Sequence, residues 1–385
     1  MEIEQQLWLG EPLERHAITG KLSGPAALVL VFGGTAQLAA TRFEALRDAF
    51  PAAAIVGCST AGEIFGTSVF DGALTTTAVR FADTVVKLAK TRVDQPEQSL
   101  AAGVELARQL PRAGLTHVLV LSDGLHVNGT DLVEGLRQEL PENVAVTGGL
   151  SGDGTEFKRT LVIADGPAAT GAIAAVGFYG GRLRVGYGSL GGWDPFGPDR
   201  LVTRSRDNVL FELDGQSALA LYKRYLGEHA AGLPATGLLF PLELHAVAGS
   251  KEPGLVRTIL SVNEEEQSMT FAGDVPEGVY ARLMKANFDR LIEGASGAAE
   301  ATRAPLGGAA AELAVLISCV GRKLVLKQRV EEEVESVREV LGDGTMLTGF
   351  YSYGEISPAV PLAKCELHNQ TMTITTFAEV PESIA

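Results

Sequence analysis

Two stretches of the chain carry the same spacing of small, polar and apolar residues. Residues 57–64 read GCSTAGEI and residues 349–356 read GFYSYGEI, so a Gly-Glu-Ile turn follows a hydroxyl-bearing residue in both. A glycine can take a positive φ in such a turn, while the glutamate projects from it. A hydroxyl beside a carboxylate could bind a polar ligand, or the glutamate could simply cap backbone N–H groups and hold the turn.

Cys58 and the hydroxyls beside it could instead act as nucleophiles. Nucleophilic catalysis requires a base within hydrogen-bond reach, and no histidine lies near Cys58 in the sequence. Cys58 also ends an apolar run, where a buried and unreactive thiol is the commoner case. We therefore expect a binding protein rather than an enzyme. An enzyme that uses Cys58 or a nearby hydroxyl is the alternative.

Polar residues also follow the apolar run HVLVLS at 117–122. Asp123 and Asn128 lie between this run and a predicted helix, where open α/β sheets present groups to ligands. The alternative is an Asp-Gly turn in which Asn128 stabilises the loop. Tyr351 and Tyr353 alternate along a stretch that, if extended, places both on one face, where they could line a cavity or cover a core. The predicted ligand-binding residues are Ser59, Thr60, Gly62, Glu63, Asp123, Asn128, Tyr351, Tyr353, Gly354 and Glu355.

The elements that must position these residues recur in the same order. The run AALVLVF at 26–32 predicts a buried strand, and Phe43, Leu46 and Phe50 predict a helix before the first frame. Near the C-terminus a strand ELAVLISCVG, a helix with valines on one face, the second frame and QTMTITTFAE repeat this order. We predict an internal duplication of a strand-helix-strand-strand unit. The predicted fold class is α/β (α+β), with mixed β-sheets flanked by helices in αββα-type layering.

Length and charge narrow the classes of function. A chain of 385 residues exceeds one ordinary core, so we predict a lead-in at 1–24 and domains at 25–215 and 216–385. A formal net charge of -15 disfavours nucleic acid and anionic membrane surfaces as partners. The N-terminus has no basic region before an apolar stretch, and no apolar run reaches membrane-spanning length. We predict a cytoplasmic protein without membrane insertion.

Several separated motifs make the chain resemble the FIST family of sensory proteins in intracellular signal transduction. VGCSTAGEI, VTGGLSGDG and GGWDPFGPDRLVTRSRDNVLFELDG resemble the N-terminal domain of the family, whereas PEGVYARLM, ISCVGRKLVL, TGFYSYGEISP and HNQTMTITTFAE resemble its C-terminal domain. The resemblance implies a small-ligand sensor, with an amino acid or a related metabolite as the ligand. The chain shows no kinase, cyclase or F-box segment, so we expect it to act on a separate signalling protein such as a histidine kinase.

The resemblance also implies a second function, because some bacterial members bind haem, sense nitric oxide and regulate histidine kinases. Haem needs an axial ligand, most often histidine. His245 in PLELHAV is the first candidate and His368 in HNQT the second, although a single histidine in a strand is more often a hydrogen-bonded structural residue. Three scattered cysteines cannot form a thiolate metal cage. We expect no metal and no cofactor, with haem as the alternative.

Overall fold

Three copies of one unit make up most of the computed structural model, which describes residues 1–40, 43–250, 254–358 and 364–381. Each copy has two parallel strands joined by a helical crossover and a later strand antiparallel to the first of them. An earlier strand pairs with that later strand and extends the same sheet. We call the copies the first, second and third repeats.

The first repeat covers residues 1–80. It contains strands β1 (Glu2–Leu9), β2 (Glu14–Gly20), β3 (Leu28–Gly33), β4 (Ala54–Ser59), β5 (Glu63–Phe65), β6 (Ser68–Phe70) and β7 (Leu74–Arg80), with helices α1 (Thr35–Ala40) and α2 (Phe43–Ala49). Every residue of β3 is buried. This agrees with the apolar run in the sequence. A strand that is covered on both faces has no solvent-exposed face, so its residues are apolar throughout instead of alternating with polar ones.

The second repeat covers residues 85–179. It contains β8 (Val85–Arg92), α3 (Ser99–Gln109), β9 (Leu115–Ser122), α4 (Gly129–Glu139), β10 (Ala145–Leu150), β11 (Val162–Ala164) and β12 (Ala172–Tyr179). Helices α3 and α4 pack together over the sheet through a core that includes Leu106 and Leu136.

The third repeat begins with β13 (Leu183–Leu190) and is then interrupted by an inserted sheet. The inserted elements are β14 (Asp194–Pro195), β15 (Arg200–Arg206), β16 (Val209–Leu213), β17 (Gln216–Ser217), α5 (Ala218–Leu226), β18 (Leu242–His245), β19 (Leu255–Arg257), β20 (Ile259–Asn263), β21 (Ser268–Phe271) and β22 (Tyr280–Lys285). This antiparallel sheet has its own core with α5. The predicted boundary after residue 215 lies in the turn between β16 and β17, and the division into domains remains a prediction.

The rest of the third repeat follows the insertion. It consists of α6 (Phe288–Ala301), β23 (Leu313–Cys319), α7 (Val320–Leu326), α8 (Val330–Leu341), β24 (Met346–Ser352), β25 (Gly354–Pro358), β26 (Cys365–His368) and β27 (Met372–Glu379). Short 3-10 turns lie at Pro96–Gln98, Gly227–Gly232, Ala235–Leu239, Ala304–Leu306 and Lys327–Arg329. No helix in the described ranges is long and apolar enough to span a membrane.

One glycine marks the shared register of the three repeats. Gly57, Gly148 and Gly349 occupy the same place on β4, β10 and β24, each paired with the middle of its parallel neighbour. A Cβ on these glycines would lie 2.0, 1.9 and 1.8 Å from a carbonyl oxygen of that neighbouring strand. Only glycine permits so close an approach of two backbones. The predicted internal repeat is therefore confirmed, and the structure adds a copy that the sequence analysis did not find.

In each repeat, the strand that follows the turn pairs with a strand of another repeat. β5 of the first repeat pairs with β24 of the third, β25 of the third pairs with β10 of the second, and β11 of the second pairs with β4 of the first. This exchange closes a ring in which three sheets enclose one central core, formed by residues such as Leu30, Leu119 and Val315. The alternate residues of the same strands pack against the outer helices. The mixed sheets with helices outside are confirmed, with three sheets facing one another.

Candidate functional site

An open cleft of about 370 Å³ lies beside the first Gly-Glu turn. It is lined by Gly34, Thr35, Ala36, Gln37, Thr60, Gly62, Glu63, Asp71, Gly72, Asp153, Gly154, Glu156, Lys158 and Arg159. Thr60 and Glu63 are buried and form its floor, whereas the side chains of Lys158 and Arg159 are exposed at its rim. The floor belongs to the first repeat and this part of the rim to the second, so the cleft lies between two repeats.

Glu63 holds the first turn together. One of its carboxylate oxygens accepts a hydrogen bond from the Thr60 hydroxyl, and the other accepts one from the backbone N–H of Ala73 at 2.8 Å. Burial raises the pKa of Glu63 to about 7, against the lowering effects of these two hydrogen bonds and of the nearby Lys323 ammonium. Glu63 can therefore change its charge near neutral pH at the floor of the cleft.

The second Gly-Glu turn repeats these contacts in a closed setting. The Ser352 hydroxyl donates to one oxygen of Glu355 at 2.6 Å, and the N–H and hydroxyl of Thr371 donate to the other at 3.3 and 3.0 Å. Burial raises the pKa of Glu355 to about 8. Both glutamates therefore cap their turns, but only Glu63 also lines the cleft described above.

The second repeat has the same hydroxyl position without the glutamate. Ser151 follows Gly148 by three residues, the spacing that Thr60 and Ser352 keep from their own glycines. The paired strand then resumes at Val162, eleven residues after Ser151, whereas Glu63 follows Thr60 by three. The extra residues 153–159 form a loop at the cleft, which we call the cleft loop. Sequence reasoning missed it because this frame has no Gly-Glu pair, and the Gly-x-x-Ser spacing was the signal that could have found it.

Asp153 organises the cleft loop. Its carboxylate accepts hydrogen bonds from the backbone N–H groups of Phe157, Lys158 and Arg159 at 2.8, 2.7 and 2.7 Å, and another from the Tyr353 hydroxyl. Burial acts to raise the pKa of Asp153, but the hydrogen bonds outweigh it and lower the pKa. The Phe157 and Tyr353 rings stack with centroids 4.4 Å apart. The loop is thus fixed to the third repeat.

Lys323 brings a second group of the third repeat to the cleft. Its Nζ donates to the carbonyl oxygen of Ala61 at 2.7 Å and to the Asp71 carboxylate. The same Nζ lies 5.6 Å from the centroid of the Tyr351 ring. A Cβ on Gly62, whose φ is 145°, would lie 2.6 Å from Nζ of Lys323. Gly62 is therefore favoured by the positive φ of the turn, and its lack of a side chain leaves room for the Lys323 ammonium.

Three predicted residues act inside the fold and do not line this cleft. The Ser59 hydroxyl accepts a hydrogen bond from the backbone N–H of Leu161, the residue before the strand that pairs with β4. The Asp123 carboxylate accepts hydrogen bonds from the backbone N–H groups of Leu125, His126 and Gly171. Asn128 caps α4 by accepting from Thr130 at 2.9 Å. These contacts agree with the stabilising role that the sequence left open for Asn128.

Tyr351 and Gly354 also have structural partners. The Tyr351 hydroxyl donates to Glu333 at 2.7 Å, and Arg322 donates to the other oxygen of the same carboxylate at 2.7 and 3.0 Å. All three side chains are fully buried. Gly354 pairs with Leu150 in the strand exchange. Of the predicted residues, the structure brings together Thr60, Gly62 and Glu63 at the cleft, with Tyr353 supporting the cleft loop.

The candidate haem ligands are already engaged. His245 Nε2 lies 2.9 Å from a carboxylate oxygen of Glu243, and His368 Nε2 lies 2.9 Å from the carbonyl oxygen of Ser357. Burial lowers the pKa of His368 to about 4. Neither ring lines the cleft or offers a free Nε2 to iron, so these residues as placed do not fit an axial ligand. The expectation of no cofactor, with haem as the alternative, stays a prediction. Among the described residues, no group of histidine, cysteine or acidic side chains is arranged to hold a metal ion.

Cys58 is fully buried in the central core. Burial raises the pKa of its thiol well above the ordinary value, and the nearby Glu63 adds to this effect. A thiol in this setting is a poor nucleophile, because the thiolate is the reactive form.

The fold is a repeated mixed α/β structure, and charged and hydroxyl side chains are among those that line the cleft between its first and second repeats. The FIST N domain model matches residues 27–216, and the FIST C domain model matches residues 218–358. The chain belongs to the FIST family, as the motifs predicted. FIST domains are generally sensory, ligand-binding domains of signalling proteins.

Two solved structures are similar to most of the chain. The cyanuric acid hydrolase from A. caulinodans has a TM-score of 0.35 and 8% identity, over 93% of this chain and 91% of that chain. A second structure, described as "Cyanuric acid hydrolase: evolutionary innovation by structural concatenation", has a TM-score of 0.33 and 9% identity, over 92% and 91% of the two chains. Such low TM-scores carry no argument about function. No curated protein sequence matches the chain.

Proposed function

We propose that the chain is a sensor that binds a small polar metabolite, such as an amino acid, in the cleft between the Thr60–Glu63 turn and the cleft loop. The observation that supports this is the charge of the lining. The guanidinium of Arg159 has no ion-pair partner among the described residues, and the same cleft contains the carboxylates of Asp71 and Glu63. A volume of about 370 Å³ suits a small ligand.

The positions of the charges suit a zwitterion. Glu63 and Asp71 belong to the first repeat and Arg159 to the cleft loop of the second, so opposite charges come from different walls. The acidic groups of the cleft loop are already bound, Asp153 by backbone N–H groups and Glu156 by Lys158. A carboxylate can form two parallel hydrogen bonds with a guanidinium. An ammonium group is favoured by the ionised form of Glu63 at the floor and by the exposed carboxylate of Asp71, which already pairs with Lys323. An amino acid presents both groups on a single carbon atom.

The proposed sensor acts on a separate signalling protein, for which a histidine kinase is the first candidate, and we place it in the cytoplasm. A ligand shifts such a partner only through its different affinities for two states of the sensor. Tyr353 and Lys323 connect the third repeat to the cleft loop and to the wall at Asp71. Ligand binding therefore has direct contacts through which to act on the third repeat. This function requires neither a cofactor nor catalytic turnover.

Calorimetric titration of the full chain with a panel of amino acids tests the site. We expect Arg159→Met to weaken binding of the amino acid found by about 10- to 100-fold, the range for losing a hydrogen-bonded charge. Glu63→Gln should weaken it less, because Glu63 lies at the floor. Arg206→Met, which removes another exposed arginine on the inserted sheet, is the matched control. If neither Arg159→Met nor Glu63→Gln changes the affinity, the ligand binds elsewhere.

Coupling to the partner is tested separately. Once a pull-down has identified the partner, its affinity for the sensor is measured with and without the amino acid. The two affinities should differ, and the amino acid should bind the complex with the reciprocal change. If the partner binds with the same affinity in both cases, the sensory mechanism is wrong, even if the cleft binds the amino acid.

A further inference from the structure

The third repeat contains two buried amides that the turns described above do not explain. Asn369 and Gln370 are both 0% exposed, and none of their four side-chain amide atoms has a hydrogen-bond partner among the described residues. Native proteins pair almost all such groups, because a buried polar group without a partner strongly disfavours the folded state. Two adjacent side chains with this property point to a bound molecule.

Gln370 also has a backbone conformation that glycine adopts in the other two repeats. The shared register makes Gly72, Gly171 and Gln370 equivalent. The carbonyl oxygen of the next residue in each repeat accepts a hydrogen bond from the corresponding N–H at the end of the first parallel strand, which belongs to Gly34, Asp123 and Cys319. The φ angles of Gly72, Gly171 and Gln370 are 75°, 68° and 62°. Residues other than glycine seldom adopt this conformation, and asparagine and aspartate do so more readily than glutamine. Seven non-glycine residues in the described ranges have a positive φ, and Gln370 is the one among them that is buried. This favours a functional role for its amide.

The surroundings accommodate these two side chains. A Cβ on Gly321 would lie 2.4 Å from Nε2 of Gln370, so the glycine leaves room for the amide. A Cβ on Gly354 would lie 3.7 Å from Nδ2 of Asn369. The indole N–H of Trp193, at the start of the insertion, donates to the carbonyl oxygen of Gln370 at 2.9 Å. The amides thus lie between α7, the second Gly-Glu turn and the inserted segment.

We propose that Asn369 and Gln370 form an internal binding site for a small, uncharged molecule that both donates and accepts hydrogen bonds. Each carboxamide offers an acceptor oxygen and two donor hydrogens, so the occupant must match both kinds of group. A charged occupant is disfavoured because it would lose its hydration without meeting a free opposite charge. The oxygens of nearby Glu355 already accept hydrogen bonds from protein groups. Ordered water and an amide-type solute both have the required chemistry.

High-resolution crystal structures of the full chain, grown with and without acetamide, test this site. We expect density within hydrogen-bond distance of both amides in the wild type. Gln370→Gly restores the glycine of the other repeats and relieves the backbone strain, so it should fold and lose this density. Asn369→Leu is the second variant and should have the same effect. Native mass spectrometry of the wild type distinguishes a retained organic molecule from water.

The results of this test can be distinguished from the results of the ligand-binding test at the cleft. Density from water, from acetamide or from a retained amide-type solute supports the internal site and identifies its occupant. Amides that turn to hydrogen-bond with protein groups would overturn it, as would density that persists in both variants. Glu63→Gln should leave this density unchanged, so failure of the proposed sensor and failure of the internal site give different results.

Discussion

The variant Glu63→Gln should be more stable than the wild type at alkaline pH, although it changes a residue of the cleft. Burial raises the pKa of Glu63 from its ordinary value of 4.5 to about 7. Between these values the folded chain keeps a proton that the unfolded chain has released. The resulting stability is fully present below the unfolded pKa and is lost as the pH rises through the folded pKa.

The size of the effect follows from the two pKa values. At about 1.36 kcal/mol per pKa unit, the rise from 4.5 to about 7 corresponds to about 3 kcal/mol of unfolding free energy. Glutamine has the same shape and cannot ionise. Its oxygen can accept from the Ala73 N–H, and its amide can donate to the Thr60 hydroxyl. The unfolding free energy of the variant, relative to that of the wild type, should therefore increase by about 2 to 3 kcal/mol as the pH rises from about 5 to about 8.5.

Urea unfolding of both proteins at several pH values, without ligand, measures this difference. Glu355→Gln is the matched variant, and it should show the same direction with a higher midpoint, because the pKa of Glu355 rises to about 8. A difference that stays constant with pH would refute the reasoning. It would mean that Glu63 remains ionised when folded, held in that form by the Lys323 ammonium.

The remaining predictions concern the supports of the cleft and the fold. Arg322→Met should lower the unfolding free energy by about 3–5 kcal/mol in denaturant titrations, because it leaves buried Glu333 without its cation; a loss below about 1 kcal/mol, the level of a surface ion pair, would contradict this. Tyr353→Phe should speed hydrogen exchange in the cleft loop and weaken amino-acid binding, and unchanged exchange would contradict it. Gly349→Ala should lower the melting temperature far more than Gly344→Ala, where a Cβ meets nothing within 4 Å; equal shifts would refute the register.

Local patterns in the sequence were enough for much of the fold. The apolar run at 26–32 appears as β3, and the helix predicted from Phe43, Leu46 and Phe50 appears as α2. The strand-helix-strand order predicted the repeat at both ends of the chain. The second repeat was not predicted, because its turn contains the cleft loop in place of a Gly-Glu pair. Its equivalence depends on strand pairing, which only contacts distant in the sequence reveal.

The candidate site was only partly predictable for a related reason. Thr60 and Glu63 could be found from their own frame, because the turn that holds them is local. The cleft loop and Lys323 reach the same place only through the exchange of strands between repeats. No periodicity along the chain encodes which sheet receives an exchanged strand. Asp123 and Asn128 were chosen from a general rule about strand ends, and the structure uses both to hold the loop before α4.

The exchange of strands also bears on how a ligand could affect a partner. A ligand in the cleft touches the first and second repeats, yet the cleft loop is held by Tyr353 and Asp71 is paired with Lys323, both from the third repeat. In α7, Lys323 follows Arg322, which is tied to Glu333 of α8. A displacement at the cleft therefore has a continuous set of contacts to the outer helices of the third repeat. Contacts alone do not establish coupling, so Tyr353→Phe should be judged by whether it reduces the ligand-dependent change in partner affinity, beyond its effect on ligand binding.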